Sequence, residues 1–510
     1  MTDDSEESPS TQRRPSSVPP LSSLAEEEST PTIAALLNAI PVLEPVTASA
    51  TDTPSTRSRR RSSVSILHTL VTSSILLPTH DARKRNFLVG SSRQMPDNAA
   101  NDLSACFPNG RLLTVMMATW NTGEASNLYE QNYTPAAKQQ TEMRERMLED
   151  LQDILLPTFV DYVSDVIIMC TQEVSVAKKP IDWEVLLQEV IGPTHVLFHS
   201  VHFGTLSLCI FLRRDLIWYC TEPEDDIVKF RAVGPMRTKA SLAVTFNLFG
   251  TSFMIINSHF EAGENVEGRA NRKLNFQNTK TKITIPHEFL QRTGILNKHP
   301  LTISRVDSLK RAESSSSLDS GLSPSADMTK ACDFVFWAGD LNFRVNMPHK
   351  DAVELCKEKK YDALLLHDEF LDADQNHSNA FNDFQEAKIE FAPTYKYDLR
   401  SGNDSYAKNR TPSYTDRILY RVKPTSQIEC TEYRSVENVR HSDHKPVVAH
   451  FRVKLKPGLH TGNLSYGKFN HEVYRRGCEQ RARHHTLGVG VRGNAKRRTG
   501  AARSSVCVVQ

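Results

Sequence analysis

Between Arg111 and Lys456 the chain alternates short apolar runs with amphipathic stretches, each closed by turn residues. Leu112-Leu-Thr-Val-Met-Met-Ala-Thr119 and Asp165-Val-Ile-Ile-Met-Cys170 read as buried strands. Met143, Met147, Leu151, Ile154 and Leu155 recur at helical spacing and give a helix one apolar face. Val196 to Leu212 reads as two strands turning near Gly204, and Ala240–Phe249 and Ser252–Phe260 flank Gly250-Thr251 as a hairpin. Phe334-Val-Phe-Trp-Ala338 and Val447-Val-Ala-His-Phe-Arg-Val453 add further strands. Many strands with a few interspersed helices predict an α/β domain of two packed sheets; pattern alone leaves the topology open.

Outside that region the pattern lapses. Residues 1–108 are rich in Ser, Pro, Thr and charge, and cannot bury enough apolar surface to offset their ordering entropy, so they are expected to be disordered. Within them, Ile33 to Leu43 is a short apolar patch, and Arg59-Arg60-Arg61-Ser62-Ser63 resembles a basophilic kinase site. The catalytic-domain candidate is 109–456, interrupted by a Ser-rich insertion at 291–330 with no core-forming period. Residues 457–510 form a basic tail, Arg- and Gly-rich, also expected to be disordered. Formal net charge over the 510 residues is only +2, which points to no bulk nucleic-acid or membrane partner. Nine cysteines without a CxxC spacing, behind the acidic start Met1-Thr2-Asp3-Asp4, fit reduced thiols in a cytosolic protein. No apolar run is long enough to cross a bilayer, so membrane attachment would be peripheral or lipid-mediated.

Residues capable of chemistry collect where the strands stop. Thr119-Trp-Asn121, Thr171-Gln-Glu173, Asn257-Ser-His259 and Gly339-Asp340-Leu-Asn342 end four strands, and Ser442-Asp443-His444 begins the last. Each alone could be a cap or an Asx turn. Five such ends, all offering Asn, Asp, Glu or His, point instead to one cleft fed by rigid elements. Carboxylate and carboxamide oxygens suit a hard cation such as Mg²⁺. Asp340 with Asn342 could orient and deprotonate a water, while His259 and His444 could stabilise phosphoryl oxygens. That chemistry is hydrolysis of a phosphate ester without a covalent protein intermediate. No cysteine has Arg at the spacing a cysteine-based phosphatase requires, and neither an HExxH nor a GxxxxGK[ST] motif is present.

Phe336-Trp-Ala-Gly-Asp-Leu-Asn-Phe-Arg344 and Arg410-Thr-Pro-Ser-Tyr-Thr-Asp-Arg-Ile-Leu419 resemble the two signatures of the inositol polyphosphate 5-phosphatases. Thr119-Trp-Asn121, Gln172-Glu173, Asn257-Ser-His259, Pro393-Thr-Tyr-Lys-Tyr-Asp398 and Ser442-Asp-His-Lys-Pro446 follow in that family's order. The resemblance spans roughly residues 111–455 and is nearest to the prenylated type IV branch, although Tyr414 stands where Trp is more usual. It implies the four-layer α/β sandwich shared with DNase I and apurinic endonucleases, and Mg²⁺-dependent removal of the 5-phosphate from phosphoinositides. PI(4,5)P₂, PI(3,4,5)P₃ and PI(3,5)P₂ remain unranked as substrates. By resemblance, Asn121 and Glu173 hold Mg²⁺, and Asp340 and Asn342 prepare the water. His444, backed by Asp416, contacts the scissile phosphate, His259 lies across from it, and Asp443 joins this catalytic set. Tyr395, Lys396, Lys408 and Arg410 grip the neighbouring 4-phosphate, where charge-assisted hydrogen bonds and a bidentate Arg suit the task.

The chain given ends Cys507-Val-Val-Gln510, a C-a-a-X pattern with Lys496-Arg-Arg and Arg503 before it. Farnesylation of Cys507 is expected, with the basic tail as a second membrane signal and a prenyl-binding chaperone as a further partner. The resemblance implies work on a cytoplasmic membrane face, at the Golgi or the primary cilium, with no nucleic-acid partner. The rival readings are a nuclease or sphingomyelinase of the same fold, and a catalytically inactive membrane-tethered scaffold.

Overall fold

The computed structural model describes residues 97–123, 137–174, 180–230, 238–284, 327–370, 383–399, 405–456 and 464–489. The short apolar runs form strands because each is buried over its whole length. β1 (Leu113–Asn121) and β2 (Val166–Gln172) have no residue open to solvent, and they pair in parallel. A parallel pair has both faces covered, hence unbroken apolar runs rather than alternation. β3 (His195–Phe203) and β4 (Leu206–Arg213) form the expected hairpin, with Gly204 at φ +58° in its turn. β5 (Glu224–Lys229), β6 (Ala240–Leu248), β7 (Thr251–His259), β8 (Phe334–Asp340), β9 (Gln385–Glu386), β10 (Asp416–Val422), β11 (Gln427–Ser435) and β12 (Val447–Lys454) complete two six-stranded sheets. Their orders are β11-β12-β1-β2-β4-β3 and β5-β6-β7-β8-β10-β9. The β6–β7 turn is one residue earlier than the sequence pattern places it. Phe249 and Gly250 carry positive φ (48° and 78°), and Thr251 already pairs with Leu248.

The described helices are α1 (Asp97–Cys106), α2 (Ala137–Leu155), α3 (Pro180–Ile191), α4 (Val266–Lys282), α5 (His349–Lys357), α6 (Tyr361–Leu365) and α7 (His471–Val489). Three buried clusters make the four layers. Val115, Met117, Ile168, Phe246, Phe253 and Phe336 meet between the sheets. Met116 and Trp120 on the outer face of the first sheet pack with Met147, Leu151 and Ile154 of α2 and Leu187 of α3. Met254, Ile256 and Trp337 on the outer face of the second sheet pack with Phe276 of α4, whose ring stacks on Trp337 at 4.3 Å and 9°. The expected four-layer α/β sandwich is therefore the architecture found.

The domain edges are wider than expected at both ends. Cys106 and Phe107 belong to the core between the sheets, so the expectation of disorder through 108 fails for 97–108. Past 456, Leu464 and Ser465 are buried and α7 docks on α3, with Val473 fully buried in the cluster over the first sheet. The Arg and Gly content that suggested a disordered tail has structural uses here. Arg481 Nη1 donates to the carbonyls of Glu189 and Val190 at 2.9 and 2.8 Å, satisfying free carbonyls at the end of α3. Gly477 packs against Gln188, where an added Cβ would lie 2.6 Å from Gln188 Cγ. The last residues assigned to the 291–330 insertion form a one-turn helix, Met328–Ala331, capped by Asp327. The patch at 33–43, the Arg59–Ser63 run, the rest of the insertion and Cys507 lie outside the described residues. No helix among the described residues is long and apolar enough to cross a membrane.

Candidate active site

Register brings the expected residues to one end of both sheets. In the first sheet Asn121 closes β1 opposite Gln172 of β2, and Glu173 follows at φ +58°. In the second, His259 of β7 pairs with Asp340 of β8, which pairs with Asp416 of β10. Gly339 makes the close β7–β8 approach feasible: it sits at φ +150°, and a Cβ there would fall 1.9 Å from the Ser258 carbonyl oxygen. Parallel strands end together and antiparallel partners begin where they end, so segments far apart in sequence deliver polar groups to one place. Asn121 Nδ2 donates to Asp340 Oδ2 at 2.9 Å, across 219 residues of chain and between the two sheets.

The electrostatics follow from burial and neighbours. Asp340 is buried. Burial alone would raise its pKa, but contact with His259 and the charges of His444 and Lys239 hold it well below the usual carboxylate range. His444 Nδ1 lies 2.9 Å from Asp416 Oδ2, whose other hydrogen bonds come from Thr394 and Thr415 at 2.7 and 2.8 Å. Burial opposes the imidazolium, but Asp416, Asp340 and Asp443 push His444 up to about 9. His259 goes the other way: burial and the Lys239 ammonium lower its pKa. Lys239 Nζ lies 2.5 Å from His259 Nε2. An ammonium has only donors to offer, so Nε2 accepts and Nδ1 carries the proton. Asp340 Oδ2 comes within 3.3 Å of the same nitrogen, and the positive charge it meets there is that of the Lys239 ammonium. Burial brings Lys239 down to about 8, although Asp340, Glu173 and Glu261 all favour its charge. Glu173 and Asp340 thus both act on one ammonium.

Other expected residues stand around this centre with varied roles. The Tyr395 ring lies against that of His444, centroids 4.4 Å apart and tilted by 36°. Lys396 Nζ pairs with Asp443 Oδ2 at 3.0 Å, and Arg410 approaches Glu264 at 3.5 Å. Lys408 is exposed, and no hydrogen bond or ion pair among the described residues links it to the centre. Asn342 carries a left-handed backbone (φ +56°), and its carboxamide is already engaged. Nδ2 donates to the Phe260 carbonyl at 3.1 Å and Oδ1 accepts from Arg344 Nη2 at 2.5 Å. In this geometry it braces neighbours, while its backbone N–H donates to Asp340 Oδ1 at 3.0 Å. Sequence reasoning missed Lys239, which lies just before a strand rather than at the end of one. It also gave no role to Arg344, whose guanidinium covers the Tyr395 ring at 4.9 Å.

The donor set fits a hard divalent cation. Asn121, Glu173, Asp340 and Asp416 offer oxygens, and Asp416 Oδ1 is buried without a hydrogen-bond partner. Asp340, Asp416 and His444 also place one donor atom each within 4.8 Å of one another. His444, held as an imidazolium, is a poor ligand, so the oxygen side of the pocket is the better cation site.

Residues 119–450 match the family described as Endonuclease/Exonuclease/phosphatase family 2. The chain belongs to this family. Within it, the chain is 34% identical over 425 residues to phosphatidylinositol polyphosphate 5-phosphatase type IV of Mus musculus, covering 81% of this chain and 57% of that protein. It is 26% identical over 392 residues to phosphatidylinositol 3,4,5-trisphosphate 5-phosphatase 1 of Homo sapiens, covering 73% of this chain and 28% of that one. The first-named relatives are therefore much longer, and the chain spans a little over half their length. Among solved structures, the 5-phosphatase domain of SPsynaptojanin, crystallised with inositol (1,4)-bisphosphate and calcium, is 20% identical with a TM-score of 0.49. That likeness covers 74% of this chain and 93% of that domain. The inositol polyphosphate 5-phosphatase resemblance read from the motifs is thus matched by the relatives, and the family's two signatures hold Asp340 and Asp416 on adjacent strands.

Proposed function

We propose that this protein removes the 5-phosphate from phosphoinositides by direct attack of water, with Mg²⁺ as cofactor. One observation carries the reading. A buried, ionised Asp340 lies between a neutral His259 and a cationic His444, at the sheet end where Asn121 and Glu173 also arrive. Asp340 orients the water and accepts its proton as the O–P bond forms. His444, with Nδ1 committed to Asp416, turns Nε2–H to a phosphoryl oxygen and stabilises charge there. His259 donates Nδ1–H, which has no partner of its own among the described residues. As the phosphorus–inositol oxygen bond breaks, the freed alkoxide takes up the proton that Asp340 accepted from the water, and the lipid keeps its other phosphates. Asn121 and Glu173 would hold the cation, which when bound would offset charge on the phosphate oxygens. Tyr395, Lys396 and Arg410 face the neighbouring phosphate, Lys396 exchanging Asp443 for it.

Membrane work belongs to the same proposal. A prenylated Cys507 with the basic residues before it would keep the protein on a cytoplasmic face, at the Golgi or the primary cilium. Mass spectrometry of the protein purified from membranes checks it, and an unmodified Cys507 would count against it.

The decisive assay is phosphate release from vesicles containing PI(4,5)P₂, PI(3,4,5)P₃ or PI(3,5)P₂, beside nicking of abasic DNA. Release is expected to stop with EDTA and return with excess Mg²⁺, with the DNA left intact. Nicking without phosphate release would replace this reading with a nuclease, and inertness in both assays would leave a scaffold.

A further inference from the structure

Arg344 is a buried cation with capacity to spare. Its side chain is 8% exposed. Nε donates to the Asn342 carbonyl at 3.0 Å and Nη2 to Asn342 Oδ1 at 2.5 Å. Its face covers Tyr395, which itself lies against His444. Nη1 is buried and makes no hydrogen bond among the described residues. The acidic group facing it is Glu264, whose Oε1 is 4.0 Å away, and the same oxygen is 3.5 Å from Arg410 Nε. Two guanidiniums thus face one carboxylate oxygen, and neither is at close hydrogen-bond distance.

The backbone carrying Glu264 is anchored on both sides, while its side chain is half-exposed. Gly263 sits at φ +122° and its carbonyl accepts from Arg272 Nη1 at 2.8 Å. Asn265 caps α4 through the Gly268 N–H at 2.9 Å. Between these anchors the Glu264 side chain is 46% exposed, as is Arg410 at 47%. A half-exposed carboxylate in a loose ion pair is cheap to move. A phosphate has three or more acceptor oxygens and up to two charges, so it could engage Nη1 of Arg344 and the fork of Arg410 together.

We propose that Glu264 is an intramolecular anion resting between Arg344 and Arg410, and that the phosphate beside the scissile one displaces it. This inference rests on the 5-phosphatase reading. Glu264 then acts as a built-in competitor for that subsite. A headgroup carrying one phosphate leaves the carboxylate in place, whereas a vicinal bisphosphate must evict it and gains both arginines in return. The carboxylate also keeps unrelated small anions out of the subsite.

The test compares full-length wild type with Glu264→Gln on two soluble headgroups, one phosphorylated at positions 4 and 5 and the other at position 5 alone. KM for the bisphosphate is expected to fall about five- to tenfold in Glu264→Gln, while KM for the monophosphate moves less than twofold. Inorganic phosphate should inhibit bisphosphate turnover more strongly in the variant than in wild type. In an Arg410→Gln background the effect of Glu264→Gln on the bisphosphate should largely vanish. Equal changes in both KM values would show a general charge effect and overturn the proposal. A rise in KM for the bisphosphate would also overturn it, leaving Glu264 as a brace for Arg410. Wild type that releases phosphate from neither headgroup nor lipid would sink the parent reading instead.

Discussion

At the scale of the residue, the site works by setting neighbouring titratable groups apart. Two histidines face Asp340, yet one is held cationic by Asp416 and the other neutral by Lys239 and burial. Removing the carboxylate takes away the proposed water orientation and a counter-charge to His444 and Lys239. Asp340→Ala is expected to lower kcat for phosphate release by several orders of magnitude, with the fold retained by circular dichroism. Lys239 acts through His259, whose tautomer it fixes. Lys239→Met should cost roughly 10²-fold in kcat, in the range of a lost transition-state donor. It should also move the pH profile of kcat, because His259 no longer meets a positive charge on Nε2. An unchanged profile would leave Lys239 with a packing role only. Lys239 was not legible in the sequence. It precedes a strand in a run, Arg237-Thr-Lys239, that looks like any solvated turn, and the carboxylates that favour its charge, Asp340, Glu173 and Glu261, come from distant segments.

At the scale of the element, strand ends supply the chemistry and strand interiors hold it still. Asp416 begins β10, and Arg417 beside it is fully buried against Asp368 at 3.0 Å and against Glu386. A buried charge with two carboxylate partners fixes the start of β10, and with it the aspartate behind His444. Removing one partner of such a group leaves the others uncompensated, typically at 3–5 kcal/mol. β12 carries a different constraint. His450 is buried there, its Nδ1 3.4 Å from Ser164 Oγ, and burial together with Arg434 lowers its pKa to about 4. The unfolded chain therefore binds the proton more tightly than the fold does. Stability from this residue is complete above the unfolded value of 6.5 and drains as pH falls from there toward 4, by about 3 kcal/mol in all. Urea unfolding of wild type and His450→Gln at pH 7.5 and 4.5 checks this, with a smaller acid loss expected in the variant.

At the scale of the whole molecule, the sandwich includes segments beyond the family match at 119–450: α1 on one side, and residues 464–489 on the other. Ending the chain at residue 463 exposes the surface that Val473 covers and frees the carbonyls that Arg481 caps. Such a protein is expected to lose roughly 3 kcal/mol or more of stability, counting only Val473 and the two hydrogen bonds of Arg481. Phosphate release per folded molecule should stay within about twofold at low temperature, since α7 docks on α3 rather than on the strand ends that carry the site. A truncated chain that melts with wild type would show that α7 adds nothing.

The sequence by itself determined the elements and the donor types. Apolar runs of strand length, a helical face at Met147, Leu151 and Ile154, and Asn, Asp, Glu or His at five strand ends follow from local rules of period and polarity. Those rules act over a few residues. Tertiary structure alone decided that Asn121 meets Asp340, that Lys239 is the buried partner of His259, and that Asn342 spends its carboxamide on Arg344. It also decided that an Arg-rich stretch past 464 is a docked helix, because a guanidinium reads as solvated until a neighbouring helix end offers it carbonyls. Register, charge neighbours and burial are properties of segments brought together across hundreds of residues, and no window along the chain contains them.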